Sequence, residues 1–383
     1  MKTLVFLFLI LFSMHPSFAL EKEFDLNTMF QRVTGFQLRS MDRNELGLNN
    51  LTENTNFFDL FQTLSEHPGF INNRLATFVS KLSTEDADPF QEEDDYQAAI
   101  LLAIMSEIDF RDIFSKKFHI RLKESVQTIR PGKEYYILGR NYQSLNELIE
   151  NYELVFDSEQ PASYNEGFYD GLFTTSGFGK RFIKGGTNRR PVRAIFDIFL
   201  CSKIETYKDS SLDPFYIGPD IDRNPGDKPH SFDENCSGCH APIDGNRGSM
   251  AFIDYDEDSR TVIRLDEVAE KYNRNPKEFG GFLTVSDHWE NVLTTPAHQA
   301  RFEWRGKTSG NGVRSFAKMI VDSGQFQRCM VSRLAEEFCE LDTEDLETSE
   351  NRKLLGNIAN DFRKNQYNMK KTIATLVSSS ICK

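Results

Sequence analysis

Apolar positions along this chain recur mostly at helical spacing. Residues 4–12 read LVFLFLILF without interruption. Further on, residues 57–64 (FFDLFQTL), 96–118 (YQAAILLAIMSEIDFRDIFSKKF) and 140–156 (RNYQSLNELIENYELVF) carry apolar side chains three and four apart, the spacing that gathers them on one helix face. An acidic stretch with Pro89, residues 85–95, breaks the first two apart. Pro191 suits the first turn of a short helix over 191–201. Short helices are also expected at 265–273 and 287–293. Near the end, Val313, Phe316, Ile320, Phe326, Cys329, Met330, Leu334 and Phe338 share a face, with a kink expected near Gly324. Leu354, Ile358 and Phe362, then Met369, Ile373 and Leu376, continue the pattern. Residues 161–191 are rich in Gly, Ser, Thr and aromatics, and residues 209–230 and 241–260 read as loops. No alternating strand pattern and no internal repeat stands out. The expected fold class is mainly α, with an N-terminal helical domain over 20–160, a middle region over 161–285 and a helical C-terminal domain over 286–383.

The opening apolar run has a signal's grammar. Lys2 precedes it, and Ser17-Phe18-Ala19 supplies small residues at the two positions a signal peptidase reads. A membrane-spanning helix needs about 20 apolar residues, and this run stops at Met14-His15-Pro16. Residues 1–19 are therefore expected to be a signal peptide cleaved near Ala19, leaving a periplasmic or secreted protein with no transmembrane segment in its mature form.

Composition narrows the partners. The 383 residues carry a formal net charge of −13, from 58 acidic and 45 basic side chains. Nucleic acid, which demands a basic footprint, is excluded on that balance; a partner with a basic surface is favoured. The 33 phenylalanines supply ample apolar surface for a core.

Six cysteines remain to be placed: Cys201, Cys236, Cys239, Cys329, Cys339 and Cys382. Cys236-Ser237-Gly238-Cys239-His240 is the attachment pattern of c-type haem. Cysteines three apart stand about one helical turn apart on the same side, where both thiols can bond the two vinyl groups of one haem. The next residue, His240, then offers an imidazole to the iron. A zinc site wants a second Cys/His pair, which is missing. A thioredoxin-like pair wants a βαβ setting, and a plain disulfide explains neither spacing nor histidine. The expected cofactor is one covalent haem c, making 161–285 a cytochrome c-like haem-binding region. Of the other four cysteines, Cys329 and Cys339 lie on one expected helix, where ten residues rise about 15 Å, beyond the ~7 Å Cα separation of a disulfide. Cys201 is thus expected to pair with one of the C-terminal cysteines, unless that helix breaks.

For the iron's other face the expected ligand is Met250, on a Gly-rich loop from Asp244 to Met250; His298, His288 and Met319 are alternatives, with Trp289 and Trp304 as further pocket walls. The acidic group Asp254, Asp256, Glu257 and Asp258 lacks the glycine and terminal glutamate of a calcium loop. No hydrolase or phosphate-loop motif is present.

Three stretches resemble a group of large exported bacterial proteins with c-type haem motifs, abundant in planctomycetes. Gly171-Leu172-Phe173-Thr174, then Thr187-Asn188-Arg189, Pro191-Val192-Arg193 and Leu200-Cys201, are similar to that group's segment upstream of the haem. Cys236 to Asp244 is similar to its CxxCHxxID core, and Ser323, Phe326 and Cys329 to its S-x-x-F-x-x-C helix. The resemblance covers about residues 165–383 and departs after Asp244, where Gly245-Asn246-Arg247-Gly248 intervenes. It implies a haem-bearing exported protein and leaves the activity open. The expected function is one-electron transfer to a periplasmic redox partner; the alternatives are a peroxidase- or oxidase-like haem enzyme with an open sixth position, and an envelope interaction protein with structural haem.

Overall fold

The computed structural model describes residues 26–50, 56–83, 95–123, 145–156, 168–228 and 230–382; residues 1–19, and with them the expected signal peptide, lie outside that set. The chain is mainly α-helical, as its periodicity predicts. The helices that organise it are α1 (Asp95–Met105), α2 (Arg189–Leu200), α3 (Ser237–Arg247), α4 (Gly312–Asp322), α5 (Gly324–Phe338), α6 (Ser349–Lys364) and α7 (Met369–Ser378).

Each forms for a local reason. The kink expected near Gly324 is a helix boundary: Ser323 caps α5 by accepting from the Phe326 N–H at 3.1 Å. Asn368 caps α7 through the Lys371 N–H. α1 is apolar nearly all round and almost wholly buried, which marks a central helix. At its N-terminus the buried Asp95 carboxylate accepts from the backbone N–H groups of Ser176 (2.6 Å) and Gly177 (2.7 Å), tying the N-terminal stretch to the middle one.

Several short elements differ from expectation. The helix expected over 96–118 ends at Met105, because Glu107 turns into the left-handed region. A second short helix (Asp112–Ser115) and then β1 (Phe118–Leu122) follow. The segment 140–156 is helical over Leu145–Asn151 and continues as β2 (Tyr152–Val155); β1 pairs antiparallel with β2 and with β3 (Phe168–Tyr169). Residues 253–264 form a hairpin of β4 (Ile253–Asp256) and β5 (Thr261–Arg264). Two of its acidic residues find lysines outside the hairpin: Asp254 pairs with Lys271 at 2.7 Å and Glu257 with Lys184 at 2.8 Å. The helix expected over 287–293 is instead β6 (His288–Glu290), paired with β7 (Ser309–Asn311), and only Glu270–Asn273 of 265–273 is helical, as one 3₁₀ turn.

The three stretches divide the sequence but not the packing. One apolar cluster runs from Met29 to Cys382. At its centre the Phe114 ring meets those of Phe110, Phe173, Phe199 and Phe326, with centroids 5.0–5.7 Å apart and edge-to-face, the geometry aromatic pairs prefer. Two disulfides staple this core: Cys201–Cys329, with Cα atoms 5.4 Å apart, and Cys339–Cys382, at 4.5 Å. Cys201 does pair with a C-terminal cysteine, and α5 stays unbroken between Cys329 and Phe338.

The stretch read as a Gly-rich loop is the second half of α3 and a following 3₁₀ turn (Gly248–Met250). Its glycines serve close approach. A Cβ on Gly245 would stand 2.4 Å from the Glu290 carbonyl oxygen, and one on Gly248 2.0 Å from that of His288; only bare backbone lets α3 lie against β6. Gly248→Ala is expected to lower the urea midpoint, overpacking costing ~1–3 kcal/mol. Gly356→Ala, inside α6 with nothing within 4 Å of the new methyl, is expected to raise it by ~0.5–1 kcal/mol. Equal signs for the two would contradict this packing.

Candidate functional site

The Cys-x-x-Cys-His motif opens α3. The N–H groups of Cys239 and His240 both reach the Cys236 carbonyl, at 3.1 and 3.0 Å, so the five residues make one helical turn. Cys236 and Cys239 carry free thiols and are half-buried, while the other four cysteines are all bonded in pairs. Burial pushes the Cys239 thiol up, against the pull of Lys208 and Arg193. A nucleophilic or redox-active cysteine wants the opposite shift.

α3 is a poor helix by composition, with Gly238, Pro242 and Gly245 inside it. Pro242 has no N–H to give the Gly238 carbonyl one turn back. That carbonyl instead accepts from the Asp209 N–H of the preceding loop, at 3.2 Å, so a helix defect becomes a loop anchor.

Beside the motif lies a cleft of about 990 Å³, floored by Cys239, His240 and Ile243 and walled by one face of α2 with Arg189, Arg190 and Arg193. That volume is at the upper end of cofactor sites, ~300–1,000 Å³. The opposite face of α2, with Val192, Ile195, Phe196 and Phe199, is buried in the core, which fixes the basic face toward the cleft.

His240 is oriented from behind. Its Nδ1 lies 3.1 Å from Oδ2 of Asp244, one turn along α3, leaving Nε2 for a ligand. A carboxylate on the second ring nitrogen is the usual partner of a metal-binding imidazole and fixes its tautomer. Asp244 is wholly buried within a network of two arginines and a second carboxylate. Arg247 reaches it at 2.6 Å and Arg189 at 2.7 Å; Arg189 and Arg247 also hold Asp220, at 2.9 and 3.1 Å. Burial alone would raise the Asp244 carboxyl, but Arg247, the His240 hydrogen bond and Arg189 outweigh it and hold it below the usual aspartate range. Asp220 is shifted the same way, Arg189 and Arg247 overcoming its burial. Burial works against the charge of Arg189, yet Asp220 and Asp244 keep its pKa above the ordinary guanidinium value. Asn188, also buried, donates to the Tyr272 hydroxyl (2.9 Å) and the Met250 carbonyl (3.2 Å).

The residues proposed from sequence thus separate into two groups. Cys236, Cys239 and His240 come together on one helical turn, and Cys239 and His240 line the cleft. Met250 does not line it: it is fully buried in the core cluster. His298 is engaged at both ring nitrogens, Nδ1 with the Thr295 hydroxyl (2.8 Å) and Nε2 with the Tyr207 carbonyl (3.3 Å). Met319 sulfur accepts from Asn291, and His288 is an exposed residue of β6 beside the Tyr216 ring. Trp289 and Trp304 are core side chains, their indole N–H groups donating to the Ser315 hydroxyl and the Leu293 carbonyl. Sequence reasoning missed the network of Arg189, Asp220 and Arg247.

A metal held by side chains alone needs several ligands at one point; among the described residues no group of three or more His, Cys, Asp or Glu is gathered for that. A porphyrin brings four nitrogens of its own, and a lone imidazole beside two thiols and a large cleft fits that need.

Replacing Asp244 by Ala leaves Arg189 and Arg247 short of a buried counter-charge and is expected to cost ~3–5 kcal/mol in urea unfolding. Because the folded pKa of Asp220 is depressed, its contribution is complete above the unfolded value of ~3.9 and is lost as pH falls through the folded one. Urea midpoints measured from pH 7 down to 3 should therefore drop steeply below about pH 4, and less steeply in Asp220→Asn; parallel curves would show that Asp220 contributes no such linkage. No protein-family model, curated protein or solved structure matches this chain, so its function has to be argued from the chemistry of these residues.

Proposed function

We propose that the chain is an exported mono-haem c-type cytochrome, with haem bonded through Cys236 and Cys239, iron held by His240, and one-electron transfer to a periplasmic partner as its activity. The observation that carries this reading is selective: the two thiols left free stand one helical turn apart next to an imidazole, and one of them, Cys239, lies with His240 at the floor of a cofactor-sized cleft. Two disulfides agree with an oxidising compartment, as does the opening apolar run. When bound, the haem supplies the one-electron couple. The chain's own residues do the rest: the thiols tether, His240 Nε2 holds the metal, Asp244 fixes the ring and raises its basicity, and α2 limits access of water to one side of the cleft. No helix among the described residues is long and apolar enough to cross a membrane.

The second reading, a haem enzyme with an open sixth position, is favoured by one observation: among the described residues, the cleft lining contains no methionine and no histidine other than His240.

Haem-dependent peroxidase staining of the denatured wild-type protein is expected to give a covalent band that Cys236→Ser abolishes; a wild-type chain at its bare polypeptide mass would overturn the proposal. Met250→Ala is expected to leave the reduced and oxidised spectra of folded protein unchanged, since Met250 does not face the cleft; loss of a methionine-ligation band would return it to the iron. Carbon monoxide titration of the reduced protein then separates the two activities, tight binding favouring the enzyme and weak binding the carrier.

A further inference from the structure

His240 leans on one carboxylate, but that carboxylate is shared. Oδ2 of Asp244 lies 3.1 Å from His240 Nδ1 and accepts from Arg189 Nε at the same 3.1 Å. The other oxygen takes Arg189 Nη2 at 2.7 Å and Arg247 Nε at 2.6 Å. The imidazole therefore competes with a guanidinium for a single oxygen atom. How good an acceptor that oxygen is for the ring depends on how strongly Arg189 is drawn elsewhere, because linked hydrogen bonds polarise one another.

Asp220 does the drawing. Its Oδ1 accepts from the same Arg189 Nη2, at 2.9 Å, and from Arg247 Nη2 at 3.1 Å. Both guanidiniums are thus divided between two aspartates. Asp220 belongs to the loop before α3, and its hydrogen bonds go to these arginines, one step removed from His240. The loop is built around the arrangement. The Asp220 side chain is 5% exposed, so water does not substitute for it. Thr187 braces both arginines, its hydroxyl accepting from Arg189 Nη1 at 2.9 Å and its carbonyl from Arg247 Nη1 at 3.2 Å. A Cβ on Gly218 would stand 2.0 Å from Arg247 Nη2 and 2.7 Å from Asp220 Oδ1, so bare backbone lets the loop close over the pair.

Resting on the haem reading above, we infer that Asp220 is a positioning residue for the iron's imidazole, acting through Arg189 on Asp244 and thereby setting the midpoint potential. With Asp220 charged, the two arginines and two aspartates balance. Without it, both guanidiniums fall to Asp244 alone and the His240 N–H loses acceptor strength. A less basic ring and an added net positive charge both disfavour ferric iron. Without Arg189, Oδ2 serves His240 alone and the opposite follows.

The test compares the full haem-loaded chain with Asp220→Asn, Arg189→Gln and Asp222→Asn. Asp222 is an exposed residue of the same loop, so its variant is a control of equal charge. The haem stain reports on the parent reading alone; a blank wild type ends that reading and the relay with it. Reduced protein under carbon monoxide is diamagnetic whether the sixth position is open or filled, so the His240 Nδ1–H resonance can be followed by NMR. It is expected to move upfield in Asp220→Asn, downfield in Arg189→Gln, and to stay in place in Asp222→Asn. The midpoint potential, measured without carbon monoxide, should rise in the first and fall in the second. General damage to the site would push both variants the same way, and either variant alone carries the test if the other fails to fold. Resonances equal to wild type, or shifts of one sign in both, would overturn the relay. A potential that changes while the Nδ1–H resonance does not would overturn it too, since Asp220 would then act as a distant charge only.

Discussion

Two buried carboxylates and two buried guanidiniums hold the site together. Taking four charges out of water is costly, and the cost is met only when every charge has its partner. Asp244 and Asp220 each contact Arg189 and Arg247, so the network closes on itself with no net charge. This closure has a structural effect well beyond its own energy. α3 is weak by propensity, interrupted by a proline and two glycines, and has little reason to be helical alone. It is held by Arg189 from α2, by Asp220 from the preceding loop, by the Asp209 N–H on its freed carbonyl, and by β6 against its glycine face. The orientation of one imidazole is the sum of these contacts, since His240 is fixed through Asp244, and Asp244 through everything else.

How much of this was readable in the residues follows from the range of each interaction. The Cys-x-x-Cys-His motif was legible because it occupies five consecutive positions, which the fold keeps on one helical turn. The mainly α class was legible because periodicity is local, as at Phe326–Phe338 and Met369–Leu376. Cys201 was matched to the right part of the chain by helix rise alone. What failed were signals whose meaning depends on a distant partner. Gly245 and Gly248 read as loop residues, and only the backbone of β6 facing them explains their helix. The strands at 288–290 and 309–311 are three residues long, too short to show alternation.

The arginine–aspartate network had a fainter trace. Its members Arg189 and Asp244 fall inside stretches that looked familiar, Thr187-Asn188-Arg189 and the Ile243-Asp244 that ends the segment begun by Cys236. Periodicity assigns neither a role. In the fold, Asn188 and Arg189 brace the region around α3, Cys201 closes a disulfide, and Ser323, Phe326 and Cys329 are respectively a helix cap, a core ring and the partner sulfur. Those motifs mark structural supports of the cleft more than its floor.

The pairing of Arg32 with the Val377 carbonyl, 345 residues apart in sequence, has a consequence for biosynthesis. The helix Leu26–Thr34 buries Met29, Phe30 and Val33, and α7 is among the elements packed on it. The same helix also packs on Phe57–Leu64 and Phe70–Leu75, so part of its cover is synthesised early, while the part that α7 supplies arrives only with the last residues. This part of the core therefore closes in two stages, the second waiting until nearly all of the polypeptide has been delivered.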